Sequence, residues 1–338
     1  MIKNLINIPV GVPFVLRVGV IGVGLMGQNH VRVYSECANL VGVTDVMEEP
    51  GRKVAARFGT HFYKTPEELL DNVDAVSICT PTSEHFAMAN LALDKGVGVL
   101  LEKPFTGKVA DATKLSLRAQ KENLVLASGF IERCNPIIDT LKKLISEETY
   151  GKPVTISSTR VSSFPVRIRD VGVIMDLGIH DVDILRYIIG GNVKSVYAIG
   201  GKFNNQMFED YSRILLGFDN GVIGSIDVNW LTPMKIRKLS MTCKDAFLQA
   251  DYMDQTIEVS KTVLGEIDPA YLFSIPIELD VTKFAMKKQE PLKIEIQRFL
   301  EAVEKRTKPF VDGFEAVQNL RICEAALTSL KEQRRVDL

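Results

Sequence analysis

The segment Leu16-Arg-Val-Gly-Val-Ile-Gly-Val-Gly-Leu-Met-Gly27 decides the fold prediction. It begins as a short β-rich run and then fits the spacing G-x-G-x-x-G before a predicted helix. Gly22 permits a tight turn, Gly24 lets the backbone approach a pyrophosphate, and Gly27 allows the helix to pack closely on the strand. The first turn of the helix offers free N–H groups and a favourable dipole. The residues predicted to contact a dinucleotide here are Gly22, Gly24, Leu25, Met26 and Gly27.

An acidic residue closes the next predicted strand, which runs from Asn39 to Thr44 and is followed by Asp45. A carboxylate at this point can accept hydrogen bonds from the ribose hydroxyls of NAD, and it would repel the 2′-phosphate of NADP. Arg52 and Lys53 lie near enough in sequence to keep NADP as an alternative. The pattern therefore predicts NAD as the cofactor.

Apolar strands alternate with helices as far as about Ser128, which predicts a doubly wound parallel sheet covered on both faces. In such sheets ligands bind at the carboxyl ends of the strands. Thr80, Pro81 and Lys103 directly follow predicted strands, as Asp45 does, so we expect them to line one crevice. His85 comes a few residues later and is predicted to lie near the cofactor.

The second half of the chain has a different pattern, with successive strands from Val193 to about Val259 and a hairpin turn at Asp219-Asn220-Gly221. This is typical of an α+β domain with an antiparallel sheet. We therefore expect an N-terminal extension at 1–15, a Rossmann domain at 16–130, and a substrate-binding and oligomerisation domain at 131–338. The terminal helices of the last domain can pack back on the first.

Composition excludes several classes of function. The formal net charge is −1, so nothing draws the whole protein towards nucleic acid or an anionic membrane. No apolar stretch reaches the roughly 20 residues that span a bilayer, and no signal-peptide cleavage site follows the apolar N-terminus. The cysteines are not spaced as a zinc cluster or a redox pair. We expect a reducing, cytoplasmic location.

Lys103 is the first candidate for a chemical role, because it leaves a predicted buried strand at the cofactor end of the sheet. Pro104 stiffens this exit and biases Lys103 towards an extended backbone. Partial burial can lower the pKa of a lysine and make proton exchange possible. The alternative is a solvated surface lysine, the usual place for this residue type.

Asp176 and His180 lie one turn apart in a predicted helix from Met175 to Ile189, so they share a face, with Asp183 nearly on it. A histidine oriented by a carboxylate suits general-base chemistry, because its pKa lies near neutrality. His180 would take a hydroxyl proton while Lys103 donates a hydrogen bond to the same oxygen. The alternative is an incidental surface pair. A metal site is a third alternative, which the lack of a second histidine nearby disfavours, so none is predicted. Its ligands would be Asp176, His180, Asp181 and Asp183.

Together these motifs resemble the glucose–fructose oxidoreductase and inositol dehydrogenase family, from about Arg17 to the C-terminus. The resemblance implies a Rossmann domain followed by an open-faced, mostly antiparallel sheet that forms homodimers or homotetramers. It implies that Lys103 and His180 flank the reacting hydroxyl, that Asp176 supports them, and that Glu102 and His85 lie at the cofactor. The matching motifs are G-V-G-L-M-G at 22–27, C-T-P-T-S-E-H at 79–85, E-K-P at 102–104, G-F-I-E-R-C-N-P at 129–136 and M-D-L-G-I-H-D-V-D at 175–183.

The segment S-F-P-V-R-I-R-D-V-G at 163–172 is similar to a subgroup that oxidises UDP-N-acetylglucosamine, or related acid sugars, to the 3-keto form. Because an arginine fork binds two oxygens at once, arginines suit phosphate or carboxylate groups, and Arg160, Arg167 or Arg169 is predicted to help hold a diphosphate. Asp183 is predicted to contact the substrate. Salt bridges or solvent exposure are the alternative for the arginines. Two other functions stay open: an inositol or free-sugar dehydrogenase, and a non-catalytic NAD-binding sensor.

Overall fold

The computed structural model describes residues 16–165, 171–204, 207–264 and 277–338, which form two sheets with helices around them. The first sheet has six parallel strands in the order β3-β2-β1-β4-β5-β6. Its strands are β1 (Arg17–Ile21), β2 (Asn39–Thr44), β3 (His61–Phe62), β4 (Ala75–Ile78), β5 (Gly98–Glu102) and β6 (Leu126–Gly129). The helices between them are α1 (Leu25–Cys37), α2 (Glu48–Phe58), α3 (Pro66–Leu70), α4 (Thr82–Asp94) and α5 (Val109–Glu122).

The central strands β4 and β5 are buried at every residue, as expected for parallel strands with helices on both faces. The winding direction reverses at β1, which pairs with β2 on one side and β4 on the other. The glycine-rich turn follows β1, Thr80 follows β4 and Lys103 follows β5, so all three lie at the same edge of the sheet. The predicted Rossmann fold is confirmed, and its switch point places a crevice at these strand ends.

The second sheet has nine strands in the order β14-β13-β12-β11-β7-β10-β9-β8-β15. Its described pairs are antiparallel except for β7 with β10, which confirms the predicted mostly antiparallel α+β unit. The strands are β7 (Pro153–Ser163), β8 (Val193–Gly201), β9 (Tyr211–Phe218), β10 (Ile223–Asn229), β11 (Leu231–Cys243), β12 (Phe247–Asp251), β13 (Thr256–Leu264), β14 (Ile277–Ala285) and β15 (Val336–Asp337).

Four helices accompany this sheet: α6 (Pro136–Ser146), α7 (Ile179–Ile189), α8 (Pro291–Lys305) and α9 (Gly313–Glu332). Burial alternates along β9, where Ile214 and Leu216 are buried and Leu215 is exposed, so one face of the sheet packs on helices and the other stays open. None of the helices in the described ranges is long and apolar enough to cross a membrane.

The helix predicted from Met175 to Ile189 differs from the structure at its start. Ile174–Gly178 forms a wider π-helical turn, and regular α-helix begins only with α7. Asp176 therefore lies in the π turn, whereas His180 lies in the first turn of α7.

The C-terminal helices return to the first sheet. Ile296 and Phe299 of α8 share an apolar cluster with Val18 of β1 and Tyr34 of α1. Helix α9 packs between α5 and β8. The two sheets are therefore joined by a common set of packed side chains as well as by the chain itself.

Candidate active site

The glycine-rich turn has the geometry that a dinucleotide site requires. Gly22 has a φ of +85°, and a Cβ there would lie 2.9 Å from the backbone of Cys79. A Cβ on Gly27 would lie 1.9 Å from the carbonyl oxygen of Gly22, whereas a Cβ on Gly24 would meet nothing within 4 Å. Gly24 is also the N-cap of α1, with no side-chain cap and no acidic residue in the first turn. The N–H groups at this helix end therefore remain available for a phosphate.

Asp45 is tied to the same turn. Its carboxylate accepts hydrogen bonds from the backbone N–H of Val23 at 2.7 Å and of Met47 at 2.8 Å. Val46 is fully exposed, and Met47 and Leu25 are each 63% exposed, so apolar side chains flank the carboxylate. Such a surface suits a planar base, a feature that the sequence reasoning missed although Val46 directly follows Asp45.

Thr80 and His85 lie beneath the crevice. The Oγ1 atom of Thr80 is buried without a hydrogen-bond partner among the described atoms. His85 is 1% exposed, with Nδ1 2.8 Å from the carbonyl oxygen of Pro104 and Nε2 3.0 Å from that of Thr80. Pro81 is the N-cap of α4. His85 thus links the Thr80 loop to the loop that carries Lys103. It was predicted to lie at the cofactor, but both of its ring nitrogens face backbone carbonyl oxygens of these loops.

Lys103 and Asp176 form the central contact of the site. Lys103 Nζ donates to Asp176 Oδ1 at 2.7 Å and to the Asp176 carbonyl oxygen at 2.9 Å. The two side chains are 18% and 11% exposed. An ammonium has three donors, so one remains for a substrate oxygen. The resemblance implied that Asp176 supports both Lys103 and His180, and the observed contact is the one with Lys103. Among the described residues no hydrogen bond joins Asp176 to His180, so the predicted orientation of His180 by this carboxylate is not seen.

His180 lies beside this pair. Its ring packs edge-on against Phe130, with the ring centroids 6.0 Å apart, and its Nδ1 is buried with no partner in the described part of the chain. Burial lowers the pKa of His180 well below its ordinary value, and the charges of Lys103, Arg160 and Arg237 lower it further. The imidazole is therefore neutral at neutral pH, the form in which it can accept a proton.

Two family descriptions match the chain. One, "Oxidoreductase family, NAD-binding Rossmann fold", covers residues 16–130, and the other, "GFO/IDH/MocA C-terminal domain", covers residues 138–249. The chain belongs to the GFO/IDH/MocA family. This confirms the family resemblance and the NAD cofactor. The open space above Gly24, the uncapped end of α1 and the unpartnered Oγ1 of Thr80 fit that dinucleotide.

Named relatives cover nearly the whole GFO/IDH/MocA chain. UDP-N-acetylglucosamine 3-dehydrogenase of Acidithiobacillus ferrooxidans is 33% identical over 92% of this chain and 95% of its own length. A solved structure of that enzyme superposes with a TM-score of 0.85 at 31% identity, over 94% of this chain and 99% of the other. Myo-inositol 2-dehydrogenase of Thermotoga maritima is 27% identical over 96% of this chain and 98% of its own. The chain is thus an NAD-binding oxidoreductase of a family that acts on sugars and polyols.

Behind His180, this GFO/IDH/MocA chain buries an ion-pair network that the sequence reasoning missed. Arg160 donates to Asp181 at 2.8 and 3.2 Å and to Glu132 at 2.8 Å, and Arg237 also donates to Glu132. Burial raises the pKa of Glu132, but the charges of Arg160 and Arg237 outweigh burial and the net shift is downward. Arg160 is 2% exposed, so its predicted contact with a diphosphate requires correction. Arg167 and Arg169 lie outside the described residues.

Asp183 belongs to a second buried network. It accepts hydrogen bonds from Arg133 Nε at 2.8 Å and from Asn319 Nδ2 at 2.7 Å, and its exposed fraction is zero. A side chain held in this way does not reach a substrate, so the predicted role of Asp183 in substrate binding requires correction. It holds α7 against α9 instead.

Glu102 also has an unexpected place in the GFO/IDH/MocA chain. It was predicted to contact the cofactor, but Glu102 Oε1 lies 3.0 Å from Nε2 of the fully buried His30. Glu295 of α8 completes a group of three side chains whose polar atoms lie within 4.8 Å of one another. Glu295 Oε2 is buried without a partner in the described ranges, and burial together with the charge of Glu102 raises the pKa of Glu295 well above its ordinary value. No local motif connects these three residues.

Proposed function

We propose that this protein is an NAD-dependent dehydrogenase that oxidises the 3-hydroxyl of UDP-N-acetylglucosamine to a ketone. The observation that carries the proposal is the Lys103–Asp176 ion pair beside the neutral His180, at the carboxyl ends of the parallel strands. The substrate is suggested by the 33% identity to UDP-N-acetylglucosamine 3-dehydrogenase of Acidithiobacillus ferrooxidans over nearly the full length of both chains.

Each polar group has a distinct task in this proposal. NAD, when bound, accepts the hydride that leaves the carbon of the alcohol. His180 accepts the hydroxyl proton, because its imidazole is neutral. Lys103 directs its remaining N–H at the same oxygen and stabilises the negative charge that develops there. Asp176 fixes Lys103 through its carboxylate and its carbonyl oxygen, which leaves the ammonium little freedom to turn away.

The experiment is to incubate the protein with NAD and either UDP-N-acetylglucosamine or myo-inositol, and to follow NADH absorbance. We expect NADH with the nucleotide sugar, and a product that has lost two hydrogens and carries a ketone at C3 by NMR. Turnover of myo-inositol alone would favour the polyol activity named for the Thermotoga maritima relative. NAD binding without turnover across a broad sugar panel would favour the non-catalytic sensor.

The open face of the nine-stranded sheet supports a proposal that the protein self-associates. Tyr197 pairs with Leu215 across neighbouring strands, and Ile199 and Ile223 lie on the same face. These four side chains are 38% to 55% exposed, and apolar patches of this kind often mark interfaces. Light scattering should give the molar mass of a dimer or tetramer for the wild type. The double variant Leu215→Lys, Ile223→Lys should have the molar mass of a monomer. A monomeric wild type would rule this proposal out.

A further inference from the structure

Four side chains form a chain of hydrogen bonds that joins α1 to the end of β5. Tyr34 Oη lies 2.7 Å from Ser77 Oγ on β4, and Ser77 Oγ lies 2.9 Å from His30 Nδ1. His30 Nε2 in turn lies 3.0 Å from Glu102 Oε1. Tyr34, Ser77 and His30 have no exposed surface, and Glu102 is 8% exposed. The chain of hydrogen bonds is therefore shielded from water, and it ends at the residue before Lys103.

The hydroxyl of Tyr34 decides the direction in which these hydrogen bonds run. Among the described residues Ser77 Oγ is its hydrogen-bond partner, so Tyr34 donates to Ser77, because a buried O–H without an acceptor is costly. Ser77 has one hydroxyl proton, and His30 Nδ1 is the acceptor that remains for it. His30 therefore carries its own proton on Nε2 and donates it to Glu102. The imidazole is held in one tautomer, and that tautomer orients the Glu102 carboxylate.

The second oxygen of Glu102 holds the backbone of the reacting lysine. Lys103 donates its backbone N–H to Glu102 Oε2 at 3.2 Å. Gly129 pairs with Glu102 in the register of β5 and β6, and a Cβ on Gly129 would lie 3.0 Å from the carboxyl carbon and from Oε1. A side chain at this position would therefore crowd the carboxylate. Glycine leaves Glu102 in the place from which it contacts both His30 and Lys103.

Lys103 is thus held at both ends. Glu102 accepts the hydrogen bond from its backbone N–H, and Asp176 accepts those from Nζ. Because the lysine stem is long and flexible, a fixed backbone and a fixed ammonium together aim the remaining N–H at one point. A displacement of about 1 Å in a reacting group can lower a rate about 100-fold. The carboxylate that holds the backbone therefore bears on the rate as well as on packing.

We propose that His30 is a positioning residue of the reaction, which fixes the backbone of Lys103 by orienting the Glu102 carboxylate. This inference deepens the proposed function and rests on its assignment of Lys103 to the reacting oxygen, but it holds for any sugar that the enzyme oxidises. His30 lies on α1, the helix that begins at the glycine turn. One helix therefore contributes to the dinucleotide site through its N-terminus and to the placement of the lysine through its buried face.

The test compares His30→Met, which removes the donor, with His30→Gln, whose amide can still donate to Glu102. Val33→Ala, at a fully buried apolar residue of the same helix, is the control for lost packing. Steady-state kinetics are measured with NAD and whichever of UDP-N-acetylglucosamine or myo-inositol the wild type oxidises. His30→Met should lower kcat by about 10- to 100-fold, while KM and the Kd for NADH stay within about twofold. His30→Gln should lower kcat less, and Val33→Ala should lower the melting temperature but not kcat.

A double variant separates positioning from a general fold defect. In the Lys103→Met background, His30→Met should cause no further loss of kcat, since both changes act on one ammonium. Equal fold losses of kcat with and without Lys103, or a kcat for His30→Met equal to that of the wild type, would overturn the inference.

The tautomer of His30 gives a readout that needs no variant. Nitrogen NMR of the labelled wild type should show the imidazole proton on Nε2, and a proton on Nδ1 would overturn the inference, because Ser77 could then not donate to the ring. Turnover of myo-inositol alone would overturn the proposed substrate but not this inference, since the kinetics are then measured on myo-inositol. NAD binding without turnover of any sugar would overturn both.

Discussion

Lys103 Nζ lies 2.7 Å from Asp176 Oδ1, although 73 positions separate the two residues in the chain. Lys103 follows β5 of the parallel sheet, and Asp176 lies in the π turn before α7 of the second unit. The contact therefore joins the two units at the point where His180, the proposed base, also lies. Chemistry at this point requires both units to be folded and docked.

Replacing Lys103 tests whether the ion pair is catalytic. Lys103→Met should lower kcat by about 10²- to 10⁴-fold, because the oxygen loses its donor, while the Kd for NADH stays close to the wild-type value. Asp176→Asn keeps an acceptor for Lys103 and should lower kcat less. The two losses should not add in the double variant, since both act on one ammonium. Lys95→Met, at a surface ion pair with Asp71, is the control, and an equal loss there would contradict this role.

Protonation of His180 should cause the decline of kcat/KM on the acidic side of the pH profile. The pKa of His180 is held below its ordinary value, so the neutral form persists as pH falls through about 6.5, and kcat/KM should decline only at lower pH. Lys103→Met removes one cation that lowers this pKa, so its residual activity should decline at higher pH than in the wild type. NMR titration of the imidazole would measure the same shift. His180→Gln should lower kcat by about 10²- to 10⁴-fold, and near-normal turnover would exclude a base at this position.

Two glycines should respond differently to alanine. Gly24→Ala meets nothing within 4 Å and has an ordinary φ of −61°, so the melting temperature of the free protein should hardly change. NADH affinity should fall at least about tenfold, because the methyl group blocks the approach of the pyrophosphate. Gly27→Ala places a methyl group on the carbonyl of Gly22 and should destabilise the fold by about 1–3 kcal/mol or more. Unchanged NADH affinity in Gly24→Ala would place the dinucleotide elsewhere.

Glu295 should make stability fall towards alkaline pH. Its pKa is raised in the folded protein, so its contribution is fully present below the unfolded pKa of about 4.3 and is lost as pH rises through the folded pKa. Glu295→Gln cannot ionise, so its melting temperature should exceed that of the wild type increasingly as pH rises. Glu301→Gln, on the exposed face of the same helix, is the control. A lower melting temperature in Glu295→Gln, with a bound cation in the wild type, would show that Glu295 is ionised beside His30 and Glu102.

The sequence predicts the parallel sheet and its glycine turn well, because both depend on short-range patterns. Gly22, Gly27 and Asp45 have roles that follow from spacing and from steric limits within one βαβ unit. The ends of most elements also agree to within a few residues, since apolar runs and turn residues mark them locally. Lys103 could be placed in the crevice for the same reason.

The partners of the site residues could not be read from local patterns. The spacing of Asp176 and His180 suggested a pair, but the carboxylate of Asp176 accepts a hydrogen bond from Lys103, which lies 73 positions earlier in the chain. From the sequence, Arg160 and Asp183 were predicted to bind the substrate. In the structure both form buried ion pairs, with residues 21 and 50 positions away in the chain. Such contacts depend on how two sheets dock, and side-chain charge alone does not distinguish a buried ion pair from a ligand contact.

The return of α8 to α1 has a consequence for modular evolution of this chain. The nucleotide-binding unit is completed by Ile296, Phe299 and Glu295 of α8, a helix that follows the second sheet in the chain. Cutting the chain after β6 would remove α8 and expose His30 and Tyr34 to solvent, although both are fully buried in the intact molecule. Recombination that exchanges the second unit must therefore carry a compatible α8 with it, which ties the inheritance of the second sheet to that of the nucleotide-binding unit.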